Sequence, residues 1–358
     1  MAPYEELIPV NLLTGSLGSG KTSLLQKLLS SPQLANTAVL MNEFGEIGLD
    51  HLLLESVDDE LVVLQTGCVC CTIRGELSSA IRDLYDRRQR GQIPAFERLA
   101  IETTGLADPA PIVFTLTAEP VLRHHFRLGN VITTVDAVNG EQQLGANVET
   151  AKQVAVADRV VLTKSDIAEA DSVARLKAQL MRLNPAAPII DAQSQSIEPN
   201  TLMANDVYDP ASKSEEVRRW LAAEAKTGHA QPGQDLGASR HDAEIGTFCA
   251  TFDVPLDWTA FGLWLSMLLN CHGEKVLRVK GILDVGGMPG PVVIHGVQHI
   301  VHPPVHLERW PSDDRRSRIV FIVRGLGREA IERSLAAFNG LANPSDRAVS
   351  SQCPVLAS

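Results

Sequence analysis

Through the first half of the chain, short apolar runs alternate with stretches of helical spacing. Residues 8–13, 38–41, 60–64, 96–101, 131–135 and 159–162 read as strands, with Ile189 and Ile190 near a last one, each followed by turn or polar residues. Residues 19–29 and 76–90 read as helices. In the second, Leu77, Ile81 and Leu84 recur at intervals of four and three, which places them on one helix face. Apolar strands alternating with helices predict an α/β fold, a mostly parallel sheet flanked by helices with ligand loops at the carboxyl ends of the strands.

The pattern weakens between residues 191 and 244. DAQSQSIEPN, DPASKSEEVRR and TGHAQPGQDLGASRHD are polar and rich in Gly, Pro, Ser and Ala, with one short helical piece at 215–225. From Ile245 it resumes with strand-like IGTFCATFDV and a helix over 257–269 capped by Asp257 or Pro255. Strands follow near 276–282, 292–296 and 318–323, then a last helix over 328–338. Asp253, Gly286, Gly287 and Pro289 mark turns in this part. The expected organisation is an α/β domain over 1–192, a linker or mobile segment over 193–244, and a smaller α+β C-terminal domain over 245–345.

Length agrees, since 358 residues exceed one comfortable core and suit two. A hydrophobic share of 44% against 21% charged excludes a disordered chain. Lys+Arg 32 against Asp+Glu 43, a net charge of -11, argues against non-specific binding to nucleic acid or to an anionic membrane. The opening MAPYEELIPVNLLTG has two acids and no basic segment ahead of an apolar run, and no apolar stretch of about 18 residues follows anywhere, so a cytoplasmic protein is expected. Six cysteines are too sparse for a disulfide scaffold, yet Cys68, Cys70 and Cys71 fall within four positions.

The sharpest chemical signal is GSLGSGKT at 15–22, a phosphate-loop spacing set between an apolar strand and a helix, which makes the first domain a P-loop NTPase. Gly15, Gly18, Ser19, Gly20, Lys21, Thr22 and Ser23 are the nucleotide-binding candidates. Backbone N–H groups and the Lys21 ammonium meet phosphate oxygens, and the Thr22 hydroxyl reaches Mg²⁺. Glu102 ends the run 99–101 and is the acidic group expected near Mg²⁺, with the Gly105 N–H facing the γ-phosphate; its alternative is a helix cap near Asp108 and Pro109. Asp136 also ends a strand, and reads equally as a partner of Mg²⁺-bound water or as the start of a helix. In VVLTKSD, the Asp166 carboxylate can accept both N1–H and N2–H₂ of guanine while the Lys164 stem stacks on the base, so GTP is expected over ATP. In GCVCC at 67–71, closely spaced thiolates can supply two or three ligands to Zn²⁺ or a similar ion; buried inert cysteines are the alternative.

Taken together, TGSLGSGKT at 14–22, NEFGEIGLD at 42–50, GCVCC at 67–71, ETTGLADP at 102–109 and TKSD at 163–166 resemble the CobW-like metallochaperone GTPases. That family is related to the urease and hydrogenase nickel-insertion GTPases and to nitrile-hydratase activators. LRVKGIL, VVIHGVQHIVHPP and LERWP are similar to its accessory domain, so the likeness spans nearly the whole chain. The resemblance implies a GTPase that passes between GTP and GDP states with Mg²⁺. It implies a transferred metal, zinc or cobalt, bound in the GTP state and released to a client after hydrolysis. It assigns Lys21, Glu102 and Gly105 to catalysis and γ-phosphate sensing, Glu43 and Glu46 to a switch-like segment touching metal or Mg²⁺, and Cys68, Cys70 and Cys71 to the transfer site. Thr163 stands where the commoner guanine-reading motif has asparagine, with less hydrogen-bonding capacity toward the loop or the base. The implied partner is a client metalloprotein or an enzyme of a metal-cofactor pathway, with a homodimer left open. No arginine or glutamine is placed as a catalytic finger, so slow hydrolysis is expected.

His295, His299, His302 and His306 recur at intervals of four, three and four, but Pro303 and Pro304 break any helix there, and ordinary turn or interface histidines are the better reading. His272 beside Cys271 reads as a helix end. His124 and His125 read as solvated, and Arg315, Arg316 and Arg318 as surface charge. Two other function classes stay open. One is a P-loop kinase, which would have no use for TKSD or GCVCC; the other is a GTP-dependent regulatory or assembly module without direct metal transfer.

Overall fold

Strand β1, Ile8–Gly15, lies at the centre of a seven-stranded sheet in the computed structural model, which describes residues 6–42, 63–66, 73–193, 197–204, 217 and 245–342. The chain divides into two compact units, Met1–Gly237 and Ala238–Ser358. In the first, the strands are β1, β2 (Thr37–Asn42), β3 (Val63–Thr66), β4 (Arg98–Glu102), β5 (Phe126–Asp136), β6 (Arg159–Thr163) and β7 (Ile189–Asp191). They run in the order β3-β2-β4-β1-β5-β6-β7, every neighbouring pair parallel. Parallel strands need both faces covered, and β6 and nearly all of β1 and β5 are accordingly buried.

Helix α1, Lys21–Leu29, covers one face through Leu24, Leu25, Leu28 and Leu29, which pack on Leu13, Val39, Ile132 and Val161. The other face is covered in part by α6 (Val148–Val156) and α7 (Ala170–Leu183), where Val154, Leu176 and Leu180 meet Val135, Val160 and Leu162. Between α1 and α6 lie α2 (Ile73–Gln89), α3 (Ala110–Ala118), a single turn α4 (Leu122–His125) and α5 (Gly140–Ala146).

Helices α3 to α7 are not among the expected ones, although α7 carries Val173, Leu176, Leu180 and Leu183 at intervals of three, four and three. The apolar stretch APIVFTLTA of α3 has little face contrast, and α6 turns the polar Thr150 and Gln153 inward. Strand β5 starts five residues before the expected 131, because Gly129 and Asn130 form an irregularity rather than a turn. A Cβ on Gly129 would lie 2.7 Å from Asn11 Oδ1, which accepts the Asn130 N–H at 3.0 Å.

Part of the stretch expected as linker, residues 197–204, is packed against the first unit. Within a π-helical turn at Asn200–Ala204, Leu202 and Met203 are buried in the α1 core. Their carbonyls accept from Asn130 Nδ2 at 2.8 Å and Asn11 Nδ2 at 3.1 Å. The helical piece at 215–225 lies outside the described residues except for Val217.

The second unit is an antiparallel sheet in the order β11-β10-β9-β13-β8, with β12 beside β10. Its strands are β8 (Ile245–Phe252), β9 (Val276–Leu283), β10 (Val292–Val297), β11 (Ile300–Val301), β12 (Val305–His306) and β13 (Ser317–Arg324). Helices α8 (Trp258–His272) and α9 (Arg328–Ala342) share a core with it through Phe261, Trp264, Leu265, Ile331 and Leu335. Asp257 caps α8 by accepting the Ala260 N–H at 2.7 Å, and the Trp264 indole donates to Ser334 Oγ at 2.9 Å. Arg316, with help from Arg318, holds the Asp314 carboxyl well below the usual carboxylate range, so two of the three arginines expected as surface charge also clamp a turn. His125 is likewise half-buried and stacked on Tyr85 at 4.3 Å rather than solvated.

Replacing Asn11 with Ala strands the Asn130 N–H and the Met203 carbonyl in a buried place. A loss of about 2–4 kcal/mol is expected, seen as a lower urea midpoint at unchanged slope; an unmoved midpoint would show that the turn at Asn200–Ala204 contributes nothing.

Candidate nucleotide and metal site

Three glycines give the phosphate loop its shape. Gly18 and Gly20 sit at φ 73° and 83°, the left-handed region that favours glycine, and Gly15 at 141°. A Cβ on Gly15 would fall 2.4 Å from both the carbonyl and the hydroxyl oxygen of Thr134, so nothing larger fits between loop and β5. Gly20 is the residue before α1, and no side chain caps that helix, leaving its first N–H groups to the loop.

The loop is fixed from outside by hydroxyls. Ser19 Oγ meets Thr134 Oγ1 at 2.6 Å, Ser16 Oγ meets Thr150 Oγ1 on α6 at 2.8 Å, and Thr163 Oγ1 donates to the Ser19 carbonyl at 2.8 Å. Lys21 Nζ folds back and donates to the Gly15 and Ser16 carbonyls, both at 3.0 Å. Ser23 is exposed on the first turn of α1. A ring of backbone donors at a helix start, with a lysine laid over it, fits the charge and size of a nucleotide's phosphates.

Glu102 stands where its strand-end position placed it. It is buried, and its Oε1 accepts from Thr22 Oγ1 at 2.6 Å, which brings the expected Mg²⁺ ligand pair together. It caps no helix; Asp108 takes the N–H at the start of α3, at 3.0 Å. Beyond Glu102, Thr103 N–H donates to the Leu13 carbonyl at 2.9 Å and Thr103 Oγ1 to Thr14 Oγ1 at 2.9 Å. A Cβ on Gly105 would meet Leu17 N at 2.4 Å, so the segment after β4 lies directly against the phosphate loop. A hydroxyl and a carboxylate oxygen so close, beside backbone donors, suit a hydrated divalent ion.

At the far end of the loop, Lys164 takes φ 57° and pairs with Asp136, Nζ to Oδ2 at 2.9 Å. Asp136, only 1% exposed, also accepts the Val138 N–H at 2.8 Å and Asn139 Nδ2 at 2.9 Å. Burial alone would raise its pKa, but the hydrogen bonds from Lys164, Asn139 and Val138 outweigh burial and hold it below the ordinary carboxylate value. Asp136 therefore anchors Lys164. Thr163 spends its hydroxyl proton on the phosphate loop and the Val135 carbonyl, so the departure from asparagine leaves a structural bond in place. Ser165 donates to Asp191 at the end of β7, and Asp166 stands exposed.

Glu43, Glu46, Cys68, Cys70 and Cys71 lie outside the described residues. The strands that lead to them are described: β2 ends at Asn42, β3 at Thr66, and these two residues are register partners. In the same parallel array Met41 is paired with Glu102, and Glu102 with Leu13 of β1. The two strands that precede these five residues thus end side by side, on the edge of the sheet that carries the phosphate loop.

The histidines of the second unit do not form a cluster. His295 is on β10 opposite Lys280, the His302 N–H donates to the His295 carbonyl at 2.9 Å, His299 Nδ1 lies 2.9 Å from the Leu269 carbonyl, and His306 is exposed on β12. Among the described residues, no group of three or more His, Cys, Asp or Glu side chains is placed to hold a metal ion.

A family model described as the CobW/HypB/UreG nucleotide-binding domain matches residues 9–191, and the cobalamin synthesis protein cobW C-terminal domain matches 245–339. The chain belongs to the CobW/HypB-like family of P-loop GTPases. Relatives of this CobW-like protein include the zinc chaperone YjiA of Escherichia coli, 33% identical over 335 residues that cover 93% of this chain and 98% of the relative. The zinc-regulated GTPase metalloprotein activator 1 of Schizosaccharomyces pombe is 34% identical over 302 residues, 77% of this chain and 72% of its own. The crystal structure of Zn(II)-bound YjiA superposes with a TM-score of 0.68 at 29% identity, covering 93% of this chain and 99% of that one. Family membership implies nucleotide hydrolysis, and among the described residues no helix is long and apolar enough to cross a membrane.

Sequence reading overlooked the supports of the site: Thr134, Thr150, Gln153 and Asp191, together with the anchoring role of Asp136. Their signal was slight, polar residues at strand ends or, for Thr150 and Gln153, spaced by three on one helix face.

Because the Asp136 pKa is lowered in the folded state, its stabilisation is complete above the ordinary Asp range and is lost as pH falls through the folded value. Urea midpoints of wild type and Asp136→Asn should differ at pH 7, and the gap should narrow as pH falls below the ordinary Asp range; a constant gap would remove the carboxylate from the explanation. Gly105→Ala, which forces a Cβ into the Leu17 backbone, is expected to weaken guanine-nucleotide binding by about tenfold or more, read with a fluorescent nucleotide.

Proposed function

We propose that this CobW-like protein is a GTP-dependent metallochaperone: it binds and slowly hydrolyses GTP, holds a divalent metal as cargo on Cys68, Cys70 and Cys71, and delivers it to a client metalloprotein. Zinc is the favoured cargo, since YjiA and the yeast activator are named for zinc, and cobalt is the alternative. The carrying observation is the register Leu13, Glu102, Met41 followed by Asn42 paired with Thr66, which starts the cysteine stretch two strands from the Thr22–Glu102 pair.

The residues fit their tasks. Lys21 would exchange its loop carbonyls for phosphate oxygens, and the N–H groups from Gly18 to Lys21 would orient them. Thr22 and Glu102 would hold Mg²⁺, which neutralises charge developing on the phosphates. Lys164, aimed by Asp136, and Asp166 would select guanine over adenine. Glu43 and Glu46 would link nucleotide and cargo, since their stretch follows β2, whose last residue is paired with the last residue of β3, the strand that precedes the cysteines. Thiolate ligands suit zinc chemically, and the overall acidic charge suits a cation carrier.

The test is zinc and cobalt titration of the full chain with GTP·Mg²⁺ and with GDP·Mg²⁺, in wild type and in Cys70→Ser and Cys71→Ser. Zinc affinity should be about tenfold or more higher in the GTP state, and the variants should lose that gain. Equal zinc affinity in both nucleotide states, unchanged in the variants, would instead favour an assembly module without metal transfer.

A further inference from the structure

Helix α6 holds both walls of the phosphate pocket with three side chains. Thr150 bonds Ser16 of the loop at 2.8 Å. Gln153 Nε2 donates to the Gly105 carbonyl at 3.2 Å and to the Ala107 carbonyl at 3.0 Å, while Lys152 Nζ meets Asp108 Oδ2 at 3.1 Å. Gln153 is itself fixed, 0% exposed, with its own carbonyl accepting from Thr133 Oγ1 of β5 at 2.8 Å.

Packing does not account for a glutamine there. Its Oε1 is buried without a hydrogen-bond partner, a cost that an apolar side chain of similar volume would avoid. What the amide does provide is two donors for two carbonyls, those of Gly105 and Ala107, in the segment after Glu102. That segment contains a glycine, whose flanking peptides turn over with little steric resistance. A peptide turned the other way would present a carbonyl oxygen to the phosphate pocket, where it repels an anion.

We propose that Gln153, assisted by Lys152, is a positioning residue for γ-phosphate recognition. It keeps the Gly105 and Ala107 carbonyls directed at α6, so that the peptide following Gly105, in the segment against Leu17, offers its N–H rather than its carbonyl to a nucleoside triphosphate. The effect falls on the triphosphate and spares the diphosphate, whose phosphates are held by the loop itself. This inference rests on the nucleotide site proposed above.

The experiment compares wild type, Gln153→Met, which keeps the volume and removes the donors, and Lys152→Met. Affinities for GDP and for the non-hydrolysable guanosine 5′-(β,γ-imido)triphosphate are measured calorimetrically on the full chain, with urea midpoints alongside. Gln153→Met should weaken the triphosphate analogue about tenfold and change GDP affinity less than about twofold. Lys152→Met should shift the ratio the same way by a smaller factor, and it serves if Gln153→Met does not fold. A merely structural role would lower both affinities together, or only the midpoint, and either result overturns the proposal. Wild-type protein that binds neither nucleotide would overturn the nucleotide site and this inference with it.

Discussion

Ser19 is bound from two strands at once: its hydroxyl by Thr134 at the end of β5, its carbonyl by Thr163 at the end of β6. Every other feature of the site depends on this clamp, because a glycine-rich loop has no side chains with which to hold its own shape. Three glycines that allow unusual backbone angles also enlarge the unfolded ensemble, so the ordered loop needs external bonds to offset its entropy. Short threonine and serine hydroxyls supply them without filling the space that phosphates require.

The parallel sheet turns those local bonds into a shared edge. With all seven strands running one way, the loops after β1, β2, β3, β4, β5 and β6 begin at the same border. A chain in this topology can join phosphate, base and cargo chemistry with adjacent strand ends and no long connection. The Asp136–Lys164 pair and the Ser165–Asp191 bond stiffen the border at β5, β6 and β7, while Thr22 and Glu102 tie α1 to β4 near the centre.

What the residue pattern disclosed follows from how locally each feature is encoded. The phosphate loop was legible because glycine, lysine and threonine are needed at fixed offsets within one turn. Glu102 was legible because it ends an apolar run. Asp136 was not, since a carboxylate at a strand end looks the same whether it meets a metal-bound water or a lysine 28 positions away. Helix α6 was hidden by its function: Thr150 and Gln153 put polar atoms on the inward face, where the pattern requires apolar ones. Leu202 and Met203 were lost in a polar stretch, and only the two asparagines on β1 and β5 reveal where they dock. The cysteine and Glu43–Glu46 expectations stand on sequence and on the register of the strands that lead to them.

The energetics of the proposed coupling are modest enough for such a framework. A tenfold difference in metal affinity between nucleotide states needs about 1.4 kcal/mol, the scale of one or two net hydrogen bonds. Making or breaking the contacts around Thr22, Glu102 and Gly105 supplies that much without moving the sheet. A larger coupling would hold the cargo so firmly in one state that release would wait on a rare rearrangement. Slow hydrolysis would suit the proposed coupling, since a loaded carrier would need time to meet a client. The fold accordingly invests its buried polar bonds in holding the loops still.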